Sequence, residues 1–348
     1  MCNIAGYAGS RQAAPILLEM LKRQEYYDGN VSTGIATIHE GKLYYRKLVG
    51  DVDNLIQHSD VLELPGTIGI AHTRPSGTPG SVAAQPCLSA GEDLALVTNG
   101  TTPITKYCAN WDAAVNMLNE KGYVFHHANP ASCKSPKLKR NGCHISVLEA
   151  RLALTQMYVQ EGKSFPQAMA LACEHMYSDN ASVMLGESNP DTIFALRSTR
   201  PLLTLTEDGE TYLATCRYAF DEGKGDKAEY LPLHHACQIT RSGVTVTEHK
   251  MDIEPVAEIT DKTFREGYNR LCKKLAVEKE DALYFDELEF AVLDMRDIFE
   301  GDYTYLQHAR LVYDVLWQLD KESRLCRELR QQESRYGPRK RYYMWLND

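Results

Sequence analysis

Met1-Cys2-Asn3-Ile4-Ala5-Gly6-Tyr7-Ala8 opens the chain, and the reading of this stretch decides the fold. Residues 3–8 read as a strand, with Cys2 directly in front of it. A small residue behind an initiator Met usually lets that Met be removed. Removal would leave a cysteine carrying both a thiol and a free α-amino group. Such an amine titrates at about 7.7–8.0 and an ordinary thiol at about 8.5, so near neutral pH the first can take a proton from the second. Nucleophile and base would then share one residue, as N-terminal-nucleophile chemistry requires. Alone, a cysteine at position 2 is more often an ordinary small residue in a first strand. The rest of the chain has to decide.

At 348 residues the chain can hold one large domain plus an appendage, or two domains. Hydrophobic residues at 43% and charged residues at 24% describe an ordinary globular composition, not a disordered or fibrous one. A net charge of -9 leaves no excess of Lys and Arg for phosphates, which argues against broad nucleic-acid binding. The short basic cluster Arg335, Arg339, Lys340 and Arg341 is expected to be a solvated tail. No apolar stretch approaches membrane-spanning length, and no charged region followed by a long apolar one opens the chain. The expectation is a cytoplasmic protein with no membrane partner. Ten cysteines suit free, mostly buried thiols in a reducing compartment.

Along the chain, an amphipathic helix is predicted over Ala13–Arg23, with Ile16, Leu17, Met20 and Leu21 on one side. Short apolar runs at 34–38, 43–45, 68–71 and 94–97 are bounded by turn residues and read as strands. Helices are predicted over 107–121, 145–161 and 165–177. A second strand series follows at 182–185, 192–196, 202–205, 211–214 and 244–247, with turns at Asn189-Pro190-Asp191 and Glu207-Asp208-Gly209. Strands, a helical block, then strands again fit an α+β sandwich of two facing sheets with helices outside. The division is read as residues 2–255 and 256–348. From Asp261 onward the pattern is helical and charged. It carries one apolar stripe through Leu288, Val292, Met295 and Phe299, and another through Leu306, Val312, Leu316 and Leu319. That part reads as a helical packing or oligomerisation unit.

Three segments combine with Cys2. Gly69-Ile-Ala-His-Thr-Arg74 is a strand ending in a fixed cation, whose planar fork suits a carboxylate. Leu94-Ala-Leu-Val-Thr-Asn99-Gly100 ends in a dipeptide that is usually only a turn. Facing Cys2, however, the Asn99 amide and the Gly100 N–H could both donate to an oxyanion. The loop from Tyr26 to Gly34 could border a pocket.

These segments together resemble the class II glutamine amidotransferases with an N-terminal cysteine, and among them the glutaminase domain of glucosamine-6-phosphate synthase. The resemblance runs on through Asn189-Pro-Asp-Thr-Ile-Phe-Ala-Leu-Arg197-Ser and Ile239-Thr-Arg-Ser-Gly-Val-Thr-Val246, so it covers about residues 2–250. It implies a four-layer αββα Ntn-hydrolase fold, with Cys2 as nucleophile and its α-amine as base. Asn99 and Gly100 would form the oxyanion hole, and Arg74 would hold the α-carboxylate of glutamine. The reaction implied is release of ammonia through a glutamyl thioester, with no cofactor or metal.

The departures from the family lie in substrate recognition. The loop after Arg74 reads Pro75-Ser76-Gly77-Thr78-Pro79-Gly80, where Ser76 and Thr78 stand in for the polar contacts expected of a His and a Trp. Tyr27-Asp28-Gly29 replaces an Arg-Gly pair, and Ala84-Gln85-Pro86 replaces Ala-His-Pro. The acidic residue expected near Ile145 for the glutamine α-amino group is missing from Asn141-Gly-Cys-His144-Ile-Ser146. A buried ammonium without a counter-charge is costly, so another part of the chain must supply one or the amide is not free glutamine. His126, His127, Cys133, Cys143 and His144 match no standard zinc framework, and His234-His235 reads as a surface pair. Too few residues follow Pro255 for sugar-phosphate isomerase domains, so an ammonia-accepting partner protein is expected, with a homo-oligomer left open. The competing reading is a degenerate domain that binds a ligand or regulates a partner.

Overall fold

Asn3–Ala8 forms a strand in which every residue is buried. A strand hidden on both faces needs a layer on each side of its sheet. The computed structural model describes residues 1–75, 84–100, 108–125, 139–140, 143–144, 147–333 and 338–347. In it, Asn3–Ala8 lies within a seven-stranded antiparallel sheet, between Glu210–Ala214 and Ile68–Arg74. Leu203–Glu207 and Glu229–Tyr230 extend that sheet on one side, Ser32–His39 and Lys42–Val49 on the other. A second, six-stranded sheet runs in the order Gly243–Lys250, His235–Thr240, Ile193–Arg197, Ala181–Gly186, Leu94–Asn99, Cys87–Leu88.

Apolar side chains seal the two sheets together: Ile4, Ala36 and Ile70 from the first meet Val97, Val183 and Ile193 from the second. Helix Ala13–Gln24 buries Leu17 and Leu21 against the outer face of the first sheet. Helices Val147–Gln160 and Phe165–His175 cover the second, with Leu152, Met169 and Cys173 against Leu96, Met184 and Phe194. This is the αββα order expected from the strand–helix–strand pattern.

Both predicted turns connect strands as expected, and the three central helices lie within a few residues of their expected bounds. Among the described residues no helix is long and apolar enough to cross a membrane. The cysteines Cys2, Cys87, Cys173, Cys216, Cys237, Cys272 and Cys326 are all free thiols.

The C-terminal part departs from the all-helical expectation. Helices Asp261–Leu275, Phe285–Leu293 and His308–Lys321 are present, the first capped by Thr260, whose hydroxyl accepts from the Thr263 N–H. The chain then ends in an antiparallel hairpin of Leu325–Gln332 with Arg339–Leu346. Its residues alternate between charged positions and a few buried ones, Met344 and Leu346 joining the helical core. The basic cluster is therefore no solvated tail. Arg341 is 1% exposed, and Arg339 is mostly buried; Arg335 lies outside the described residues. The Tyr313 hydroxyl donates to Asn3 Oδ1 at 3.2 Å, so this unit packs directly beneath the first strand.

Candidate active site

Strand register places the candidate residues. Asn3 pairs with Thr73 in antiparallel sense, which brings Arg74 alongside Cys2 at the strand end. On the facing sheet, Leu94–Asn99 ends where the first strand begins. The Cys2 N–H donates to Asn99 Oδ1 at 3.2 Å. Asn99 is buried, and its Nδ2 has no hydrogen-bond partner. A buried amide that leaves a donor unused is rare, so this one marks a position for an acceptor that arrives from outside.

Gly100 completes the corner. Its φ of 82° is in the left-handed region, and a Cβ there would stand 2.0 Å from the Asp179 carbonyl oxygen. Only glycine allows this turn, which aims the Gly100 N–H at the Cys2 sulfur. Burial pushes the Cys2 thiol up. The residue-1 ammonium, Arg74, Arg200 and the Gly100 N–H all pull the other way. Three cations and one N–H donor thus face the sulfur and partly offset its burial, while the net direction for the thiol stays upward.

Around residue 1 the structure holds a charged cage that sequence reading missed. The Met1 ammonium contacts Asp28, with Asp286 Oδ1 at 3.6 Å. Arg341 Nη2 donates to both carboxylates, at 2.6 Å to each. Glu289 accepts from Arg200 at 2.7 Å, and Arg200 also pairs with Asp179 at 2.6 Å and meets Met1 Sδ at 3.4 Å. Burial pulls the Met1 ammonium down, while Glu289 and Asp286 oppose this. Burial would raise Asp286, yet the ammonium and Arg341 outweigh it and hold the carboxyl low. Asp28, Asp286 and Glu289 have the residue types of a divalent-cation site, with ligand atoms within 4.8 Å of one another. Arg200, Arg339 and Arg341 already supply their counter-charge, so the cage needs no ion.

Glu289 falls to about 2 from an ordinary 4.5, because Arg200, His308 and the ammonium outweigh its burial. A depressed carboxylate stabilises the fold above its unfolded value and loses that contribution as pH falls through the folded one. We therefore expect the contact between the C-terminal unit and the sandwich to weaken between about pH 4.5 and about 2. Trp317 and Trp345 fluorescence would follow the loss, and Glu289→Gln would make the dependence shallower.

Of the residues singled out from sequence, Cys2, Arg74, Asn99 and Gly100 converge at one corner. Ser76 and Thr78 lie outside the described residues, as do His126, His127 and Cys133. Gln85, in place of a His, brackets the strand carrying Asn99: its Nε2 donates to the Thr98 carbonyl at 3.1 Å and its Oε1 accepts from the Thr98 N–H at 2.5 Å. His72 is buried against the same carbonyl at 3.2 Å and held down at about 3 by burial and Arg74, hence neutral. The His234-His235 pair is not a surface feature: His234 is buried, and His235 starts an unforeseen strand.

The chain is 30% identical over 222 residues to a Pyrococcus horikoshii protein named glutamine–fructose-6-phosphate aminotransferase (isomerizing), covering 63% of this chain and 33% of that one. Proteins of the same name from Bacteroides thetaiotaomicron and Chlorobaculum tepidum are 33% identical over 218 residues and 30% over 269. These cover 62% and 76% of this chain, and 32% and 40% of theirs. The chain thus spans about a third of the length of the curated relatives it matches. Among solved structures, a glutamine phosphoribosylpyrophosphate amidotransferase from B. subtilis aligns with TM-score 0.57 at 18% identity. That alignment covers 80% of this chain and 59% of the other, and it bears on the fold alone. No family model matches the chain.

Proposed function

The chain carries a class II glutamine amidotransferase domain, and from that premise we propose that it releases ammonia from glutamine at Cys2 once Met1 is removed. The observation that carries the reading is the corner where the Cys2 sulfur meets the Gly100 N–H and the unused Asn99 Nδ2. In this reading the α-amine of Cys2 takes the thiol proton, and the thiolate attacks the side-chain amide carbon. The resulting oxyanion is received by Asn99 and Gly100. The amine then protonates the departing ammonia, and water resolves the glutamyl thioester. Arg74 holds the α-carboxylate.

The same reading answers the missing acidic residue. Asp286 and Glu289, both from the helix Phe285–Leu293, together with Asp28, already surround an ammonium one residue upstream of Cys2. A γ-glutamyl group on the sulfur carries its own ammonium on a chain of similar length. The space that Met1 vacates would place that ammonium among the same carboxylates. The chain spans about a third of the length of the relatives of this name, and the ammonia acceptor is proposed to be a partner protein.

Intact mass tests the removal of Met1, and ammonia release over a panel of amides tests the reaction. A processed N-terminus with no ammonia from any amide would favour the degenerate, ligand-binding reading instead. Charged hydrogen bonds contribute about 1.5–3 kcal/mol, so Asp286→Asn and Glu289→Gln should each raise KM for glutamine by about ten- to a hundredfold. Hydrolysis of glutaramate, which lacks the α-amino group, should be nearly indifferent to both changes. Equal losses on the two substrates would show a general structural role.

A further inference from the structure

Three residues before Arg200, the strand Ile193–Arg197 ends in a second buried arginine that the Cys2 site does not use. Arg197 is 3% exposed. Its Nε donates to the Leu231 carbonyl at 2.6 Å and its Nη1 to Gln307 Oε1 at 3.1 Å. Both partners are neutral. Among the described residues no carboxylate pairs with it. Instead a second cation crowds it: Arg197 and Arg310 both stand over the Tyr230 ring, at 5.3 and 4.2 Å from its centroid. Asp314 is the nearby acid, and it is engaged by Arg310 at 3.3 Å and by the Tyr230 hydroxyl at 2.6 Å. Burial, with Arg310 adding to it, lowers Arg197 to about 9. A buried cation without a counter-ion is an expensive arrangement, one that an anion from solution would relieve.

Arg197 opens onto a cavity of about 630 Å³ at the junction of the sandwich and the C-terminal unit, a volume in the range of small-molecule sites. Lys250, Arg310, His234 and His235 share its wall, against the single carboxylate of Glu258. His234 is buried and adopts a φ of 66°, which a histidine rarely does. Its Nε2 has no hydrogen-bond partner. Burial and the neighbouring Lys250, Arg197 and His235 hold it at about 4, so at neutral pH it is an uncharged imidazole with one ring nitrogen unused. None of the residues facing Cys2 lines this cavity.

We propose that the cavity is a second ligand site that binds a small oxyanion, a phosphate ester or a carboxylate, with Arg197 at its buried end, Lys250 at its exposed rim and His234 Nε2 as a further hydrogen-bonding group. The arginine fork recognises either oxyanion in the same way.

Calorimetric titration of the full chain at constant ionic strength, with inorganic phosphate, pyrophosphate and citrate to about 10 mM each, tests this directly. Saturable binding of at least one is expected. Preference for the phosphates identifies a phosphate ester as the ligand class, and preference for citrate a carboxylate. Lys250→Glu, an exposed change remote from Cys2, should weaken binding at least about tenfold and leave glutamine hydrolysis within about twofold. Arg197→Gln should abolish binding; should that variant fail to fold, Lys250→Glu and His234→Ala carry the test. No saturable binding by any of the three anions, or binding unchanged in Lys250→Glu and His234→Ala, overturns the proposal. The readout is heat of binding, so the result is independent of whether Cys2 hydrolyses glutamine.

Discussion

Serine in place of Cys2 is expected to cut ammonia release from glutamine by at least about a thousandfold, the scale seen when a lone nucleophile is lost. The change keeps the shape of the side chain and removes only the sulfur. A hydroxyl is far more basic as an anion than a thiol, so a neighbouring amine near neutral titration cannot activate it to a similar extent. Nothing else in the corner changes: Asn99 still accepts from the residue-2 N–H and Gly100 keeps its turn. Ammonia release would be measured on protein whose mass confirms loss of Met1. A Cys2→Ser protein that keeps even a tenth of the activity would place the chemistry elsewhere.

The next largest effect is expected from Asn99→Asp. Aspartate keeps an oxygen to accept from the Cys2 amine but exchanges the unused Nδ2 donor for a negative charge. Removing one oxyanion donor typically costs about a hundred- to a thousandfold in kcat, and here repulsion adds to it. Because the oxyanion exists only after attack, KM should move little. Steady-state kinetics separates the two parameters. A rise in KM with kcat intact would mean that Asn99 binds the ground-state substrate and does not stabilise the oxyanion.

Much of the sandwich is legible because its signals are local. Apolar runs such as Leu94–Val97 are bounded by turn residues within the same few positions, and the helix Ala13–Gln24 shows its buried stripe in its own sequence. The corner of Cys2, Asn99 and Gly100 was equally readable, since an N-terminal cysteine and an Asn-Gly strand end are each visible in a few residues. The terminal hairpin was not. Arg327, Glu328 and Arg330 stand opposite Met344, Tyr343 and Arg341, and charged residues break up the apolar ones on both strands, so no clean apolar alternation announces a strand. Its stability comes instead from ion pairs and aromatic contacts, such as Arg341 over the Tyr284 ring at 4.5 Å.

The charged cage was illegible for a different reason. Asp286 and Glu289 sit on an ordinary acidic helix, and only the fold brings them to residue 1. Asp28 lies in the Tyr26–Gly34 loop, whose sequence does not reveal that it is fully buried and paired with Arg341. His234 looked solvated because a repeated histidine usually is. Its burial follows from the strand His235–Thr240, whose alternation of Ala236, Cys237 and Ile239 with polar residues carried no strong apolar signal.

Arg341, seven residues from the end of the sequence, grips the same aspartate that touches the first residue. A ribosome must therefore have passed Arg341 before the nucleophile's surroundings can assemble. The sandwich can condense earlier, domain by domain as nascent chains do, but with its reactive end uncaged. A chain without the strand Arg339–Leu346 would keep that end permanently in this juvenile condition.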